Sequence, residues 1–177
     1  MAIKPGTYTL GPGNAELLVH TARQGAAAKA GHDLEMIVTE WTAILELGDR
    51  SSLRLDADSS SLRVREGRGG MKALDDDDRE NIRKTIDDEV LKGTDIEFRS
   101  TEVETGSQGM AVQGELKLMG ETRRLEFDLD VAEDGKLTGR ATVKQTNFGM
   151  KPYTALFGAL KVADEVVITV EASLQSR

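Results

Sequence analysis

The chain has no cysteine. Disulfides, thiolate metal centres and cysteine nucleophiles are therefore excluded at once. Aromatic residues are scarce, 4% of 177 positions, shared among four Phe, two Tyr and one Trp. No apolar run approaches the roughly 18–20 residues of a membrane-spanning helix. Positive charge is in deficit: 23 Lys and Arg face 31 Asp and Glu, for a net charge of −8 and a pI of about 4.9. Such a chain repels phosphate backbones, which argues against nucleic-acid partners. It also lacks a contiguous polybasic run to grip an anionic membrane. The first residues, MAIKPGTYTL, hold one Lys and no apolar stretch, unlike a secretory leader, so the expected location is cytoplasmic. A length of 177 residues suits one domain, 1–177, with a real core.

What the chain has in abundance is period-two alternation. Met110, Val112, Gly114, Leu116 and Leu118 share one face, against Ala111, Gln113, Glu115 and Lys117 on the other. That is a half-buried strand. Leu125, Phe127, Leu129 and Val131 repeat the pattern, the Asp134-Gly135 turn follows, and Leu137, Gly139, Ala141 and Val143 continue it. A last strand spans 166–174, and earlier ones cover 6–10, 15–21, 34–47, 53–58 and 96–104. In the long one the apolar phase slips, from Leu34, Met36 and Val38 to Trp41, Ala43, Leu45 and Leu47. A slip inside one strand predicts a bulge or bend. One segment breaks the rhythm: residues 75–91 open with four aspartates and carry Ile82, Ile86 and Val90 at helical spacing, with Gly93 beyond. The stripe is narrow, so this helix is expected on a surface. Residues 65–70 (REGRGG) read as a flexible loop and 151–160 as a short helical turn.

The fold expected is all-β: an antiparallel, lipocalin-like barrel of about eight strands with one inserted amphipathic helix, since closure removes sheet edges. A barrel of that size is either filled by side chains or holds one small ligand. Presumed inward positions include the small residues Gly114, Gly139, Ala141, Ala43, Ala57 and Ala172. They leave apolar volume unless neighbouring Leu, Ile and Met fill it. Two functions stay open: a non-catalytic binder of one long apolar molecule, and a protein-interaction or stress-related scaffold with a filled core. A homodimer is permitted without being demanded.

Three stretches carry a resemblance: residues 78–103 (DRENIRKTIDDEVLKGTDIEFRSTEV), 114–131 (GELKLMGETRRLEFDLDV), and 137–171 with Asn147-Phe148-Gly149-Met150 inside it. With His20 and the AGHDL around His32, this order of elements resembles the YceI-like family, bacterial lipocalin-like barrels associated with polyisoprenoids and other long-chain lipids. The resemblance implies an elongated apolar tunnel with the helix beside it, and an isoprenoid, isoprenoid quinone or fatty-acyl partner. Residues 24–30 (QGAAAKA) depart from the more aromatic stretch common there.

Candidate interior residues, as ligand wall or plain core, are Trp41, Phe98, Met110, Val112, Leu116, Leu118, Phe127, Leu129 and Val143. Phe148, Tyr153 and Phe157 are expected either to cap the tunnel or to anchor their loop. His32, with Arg23 and Lys29, suits a polar head group at the mouth. His20, His32 and Asp33 are too weak a set to imply a metal, and no cofactor is expected. His32-Asp33 beside Ser59, Ser60 and Ser61 lacks a nucleophile elbow, so the serines read as turn chemistry and the protein as no enzyme. Asp75–Asp78 read as a solvated helix start rather than a cation site.

Overall fold

Alternating apolar residues become strands along most of the chain, and the apolar face of each turns inward. The computed structural model describes residues 3–174. In order the elements are β1 (Gly6–Leu10), β2 (Ala15–Thr21), β3 (Arg23–Gln24), β4 (His32–Val38), β5 (Trp41–Leu47), β6 (Ser52–Ala57), β7 (Leu62–Gly69), the helix α1 (Asp76–Thr85), β8 (Ile96–Thr105), β9 (Gly109–Leu118), β10 (Glu121–Val131), β11 (Lys136–Lys144), β12 (Thr154–Ala155), β13 (Leu160–Val162) and β14 (Glu165–Ser173).

Eleven strands form one strongly curled antiparallel sheet. Three pairs, β1 with β2, β4 with β5 and β6 with β7, are halves of bent ribbons. The first ribbon pairs with the second along both halves, β1 on β5 and β2 on β4. The second pairs with the third, β5 on β6 and β4 on β7. β6 then passes to β8, and the neighbours β9, β10, β11 and β14 lead back to β2. Eight strand courses thus pair around a lipocalin-like barrel, as the alternation predicts. Kinks in three of them raise the count of segments.

The phase slip in residues 34–47 is one such kink, at Thr39 and Glu40. Its backbone groups are satisfied by the kink of the third ribbon. Thr39 N and Oγ1 donate to the Ser61 carbonyl at 3.1 and 2.8 Å, and Glu40 N donates to Ser61 Oγ at 3.0 Å. Ser59 and Ser61 are buried here. The serine run is turn chemistry that lets two ribbons bend together.

The acidic segment forms α1 with a capping box: Asp75 accepts from Asp78 N, and Asp78 accepts from Asp75 N. The helix then widens into a π-helical turn over Ile86–Leu91 and stops where Lys92 and Gly93 take φ of 53° and 65°. Two local expectations need correction. Residues 65–69 are not a loop; they complete β7 and pair with β4, because the backbone partner outweighs the weak strand propensity of Gly67 and Gly69, and only Gly70 lies beyond the strand. Residues 151–160 hold the expected short turn only at Leu156–Gly158; around it they form a hairpin of β12 and β13, which pairs with β3 in a small second sheet.

Smallness at Gly114 has a different cause from the one its alternation suggests. A Cβ there would fall on the Arg99 carbonyl and lie 2.8 Å from Ser100 Cα, where β8 and β9 shift register. The residue is required by backbone approach, not by cavity volume. Gly114→Ala is expected to cost about 1–3 kcal/mol in urea denaturation; an unchanged midpoint would mean the strands do not approach this closely.

Candidate ligand cavity

The barrel interior is not filled. A cavity of about 530 Å³ runs through it, within the roughly 300–1,000 Å³ range of small-molecule sites. Its walls are almost wholly apolar. Several inward side chains on β2, β10 and β14, among them Val19, Phe127, Ile168 and Val170, are only half-buried, because the space they face is empty. Small wall residues from opposite sides of the barrel, Ala43, Ala57 and Ala141, leave that space open, whereas Gly139 is bare because a Cβ there would meet Leu129 and Val170. Phe98 and Phe127 pack with ring centroids 5.3 Å apart at 56°, forming a stiff aromatic corner of the wall. The helical segment is the lid on one side: Ile82, Ile86, Val90 and Leu91 all reach the cavity. The helix lies outside the sheet as its narrow stripe predicts, yet that stripe is a wall of the cavity.

Polar residues are few in the lining, and five of them share one end. Thr21, Arg23, His32, Tyr153 and Lys161 border the cavity beside the small sheet, and Tyr153 and Lys161 are exposed to solvent. This end is the mouth. Arg23 is fixed there: its Nη1 donates to the Gly31 carbonyl at 2.7 Å, its guanidinium lies 3.8 Å from Asp33, and its backbone N donates to Asp33 at 2.9 Å. His32 Nε2 donates to the Lys72 carbonyl at 2.8 Å, which fixes the tautomer. Both side chains lie across bare backbone, Arg23 over Gly69 and His32 over Gly70, and those glycines have φ of 79° and 75°. The glycines that make residues 65–70 look like a loop are what bring the Arg23 guanidinium and the His32 ring to the rim.

The other histidine is elsewhere. Val19 and Thr21 point into the cavity, so His20 points out, where its Nε2 meets Thr169 Oγ1 at 2.9 Å. β2 and β4 do run antiparallel, but they set the two imidazoles on opposite faces. Among the described residues no three His, Asp or Glu side chains converge as metal ligands.

The YceI-like domain model matches residues 18–174. The chain belongs to the YceI-like family. The fold is similar to BcnA of Burkholderia cenocepacia, with a TM-score of 0.65 and 15% identity over 91% of this chain and 96% of that one. It is also similar to the YCEI protein of Campylobacter jejuni, with a TM-score of 0.55 and 14% identity over 81% and 86%. At these identities the likeness is one of fold. A comparison with the curated proteins gives no match.

Of the interior residues chosen from alternation, Trp41, Phe98, Leu116, Leu118, Phe127, Leu129 and Val143 lie on the cavity wall, as do Tyr153 and His32 at the mouth. Met110, Val112 and Phe148 are buried but pack in the core away from the cavity. Phe157 neither caps the cavity nor anchors its loop; it stands in solvent. Alternation missed the contribution of the helix and of β13, whose Leu160 and Val162 also reach the cavity. The helical spacing of Ile82, Ile86 and Val90 was the available signal. Among the described residues no helix is long and apolar enough to cross a membrane.

One ion pair ties the mouth to the lid. Lys72, whose carbonyl holds His32, places Nζ 3.0 Å from Asp78 on α1. That hydrogen bond, with the backbone N–H of Asp75, holds the Asp78 carboxyl below its usual 3.8. A carboxyl lowered on folding stabilises the folded form above its unfolded value, and that contribution is lost as pH falls through the folded one. Acidification from about pH 5 to about pH 3 is therefore expected to loosen the helix start, read as falling helical ellipticity. In Asp78→Asn the helical signal should depend less on pH over that range; an identical profile would remove the tie.

Proposed function

We propose that the protein binds one long apolar molecule, of isoprenoid, isoprenoid quinone or fatty-acyl type, inside the barrel without changing it chemically. The observation that carries this is the 530 Å³ apolar cavity with Arg23, His32, Tyr153 and Lys161 at one mouth. An extended chain removing several hundred Å² from water gains on the order of 10 kcal/mol gross at ~25 cal/mol per Å², before ordering costs. The polar end of the ligand meets Arg23, His32 and Lys161 at the rim, while Phe98, Phe127 and Leu129 contact its chain. The family resemblance points to the same ligand class. A scaffold with a filled core does not call for such a space.

The test is native mass spectrometry and solvent extraction of the purified protein, with Ala141→Phe as the blocking variant. The expected result is a bound lipid mass in the parent chain, and its loss in a variant that keeps its stability, since the new ring enters empty volume. Absence of lipid uptake, together with an overpacking loss of about 1–3 kcal/mol in Ala141→Phe, would overturn the proposal.

A further inference from the structure

Four large apolar side chains are exposed among the described residues: Met71, Tyr153, Leu156 and Phe157. All four belong to the same end of the barrel. Tyr153 borders the mouth, and Leu156 and Phe157 form the tip of the hairpin between β12 and β13. Met71 lies between Gly70, on which the His32 ring rests, and Lys72, whose carbonyl holds that ring. Phe157 is 113% exposed, more than an extended reference residue. Its backbone is unusual as well. Leu156 and Phe157 have φ of 52° and 56°, the left-handed region that bulky side chains rarely enter, and Gly158 continues at 85°. The turn is pinned from below, with Ala159 N donating to the Leu156 carbonyl and Ala27 N to the Ala159 carbonyl. The loop thus holds two apolar side chains in water where small polar residues would fit the backbone better.

The charge around the tip differs from that of the whole chain. Residues 17–32 and 135–163, which supply β3, β12, β13 and the rim, contain no Asp or Glu, in a chain with 31 of them. Lys29, Lys151 and Lys161 flank the tip, and none of them takes part in an ion pair among the described residues. Of the carboxylates nearby, Asp33 is engaged by Arg23, Asp164 by Thr146, and Asp75 and Asp78 by Lys72; the exposed Asp76 and Asp77 stand at the helix start on the Met71 side of the mouth, across from the Leu156–Phe157 hairpin. An apolar tip within a cationic collar fits the interfacial zone of an anionic bilayer.

We propose that the Leu156–Phe157 tip docks the mouth of the cavity onto an anionic lipid bilayer. The docking stands on the tip itself; that it serves ligand transfer rests on the cavity reading above. The test is flotation with vesicles of phosphatidylcholine containing about one third phosphatidylglycerol, against phosphatidylcholine alone. The parent chain is expected to float with the anionic vesicles and to be released as salt rises to about 0.5 M. Leu156→Asn with Phe157→Asn keeps the left-handed backbone accessible and removes the apolar surface; it should weaken partitioning at least about tenfold. Lys29, Lys151 and Lys161 changed together to Gln should abolish the preference for anionic vesicles. Ala141→Phe should still float, so failed docking and failed lipid binding are told apart. A parent chain that stays behind, or an Asn variant that floats equally well, overturns the proposal. So does a concentration-dependent dimer lost in the Asn variant without vesicle binding, which would assign the tip to a second copy.

Discussion

Backbone pairing around a curled sheet leaves unpaired edges only at its end strands, here β1 and β7, and this chain reaches that arrangement by bending. Three ribbons kink, and at each kink backbone groups would be left unpaired in a region the barrel buries. Thr39, Glu40 and Ser61 solve the problem for two ribbons together, each supplying the partners the other lacks. The closed ring then sets a perimeter that the inward side chains must fill. With alanine at Ala43, Ala57 and Ala141 they do not, and the cavity follows from geometry. The kinks, the closure and the empty interior are consequences of one another.

That interior has an energetic consequence. Core cavities left by large-to-small substitutions forgo roughly 24 cal/mol per Å³. At 530 Å³ the forgone contacts are on the order of 10 kcal/mol, comparable to the whole net stability of a domain. A chain selected only to fold would place larger residues at the small wall positions and recover part of this. An apolar ligand returns the same contacts from outside, so fold stability and occupancy are linked.

Much of the fold was legible because period-two alternation is a direct record of which face is buried. The strands of β9, β10, β11 and β14, the kink at Thr39–Glu40 and the acidic helix start all follow from local pattern. What was not legible depends on partners distant in sequence. Residues 65–70 look like a loop until Arg23 and His32 are seen to lie across their glycines. Gly114 and Ala172 are as small as Ala141, but the cavity passes beside Ala141 and not beside them, and no local pattern separates the three. Met110 and Val112 alternate like Leu116 and Leu118 on the same strand, yet only the latter pair reaches the hollow. Inward direction is written in the sequence; which inward residues face empty space is decided by the opposite wall.

Charge shows the same separation between pattern and arrangement. A net of −8 and the lack of a basic run argue correctly that the chain as a whole repels anionic surfaces. Screening, however, limits each charge to about 10 Å at ordinary salt, so a surface senses its nearest groups and not the total. The fold sorts the chain accordingly. Acid-rich segments form α1 and the outer faces of β8 and β10, while the two acid-free segments meet at the mouth. There lysines stand beside the exposed Leu156–Phe157 tip and the opening of the apolar interior, and the carboxylates of that end, Asp33, Asp75 and Asp78, are held by Arg23 and Lys72.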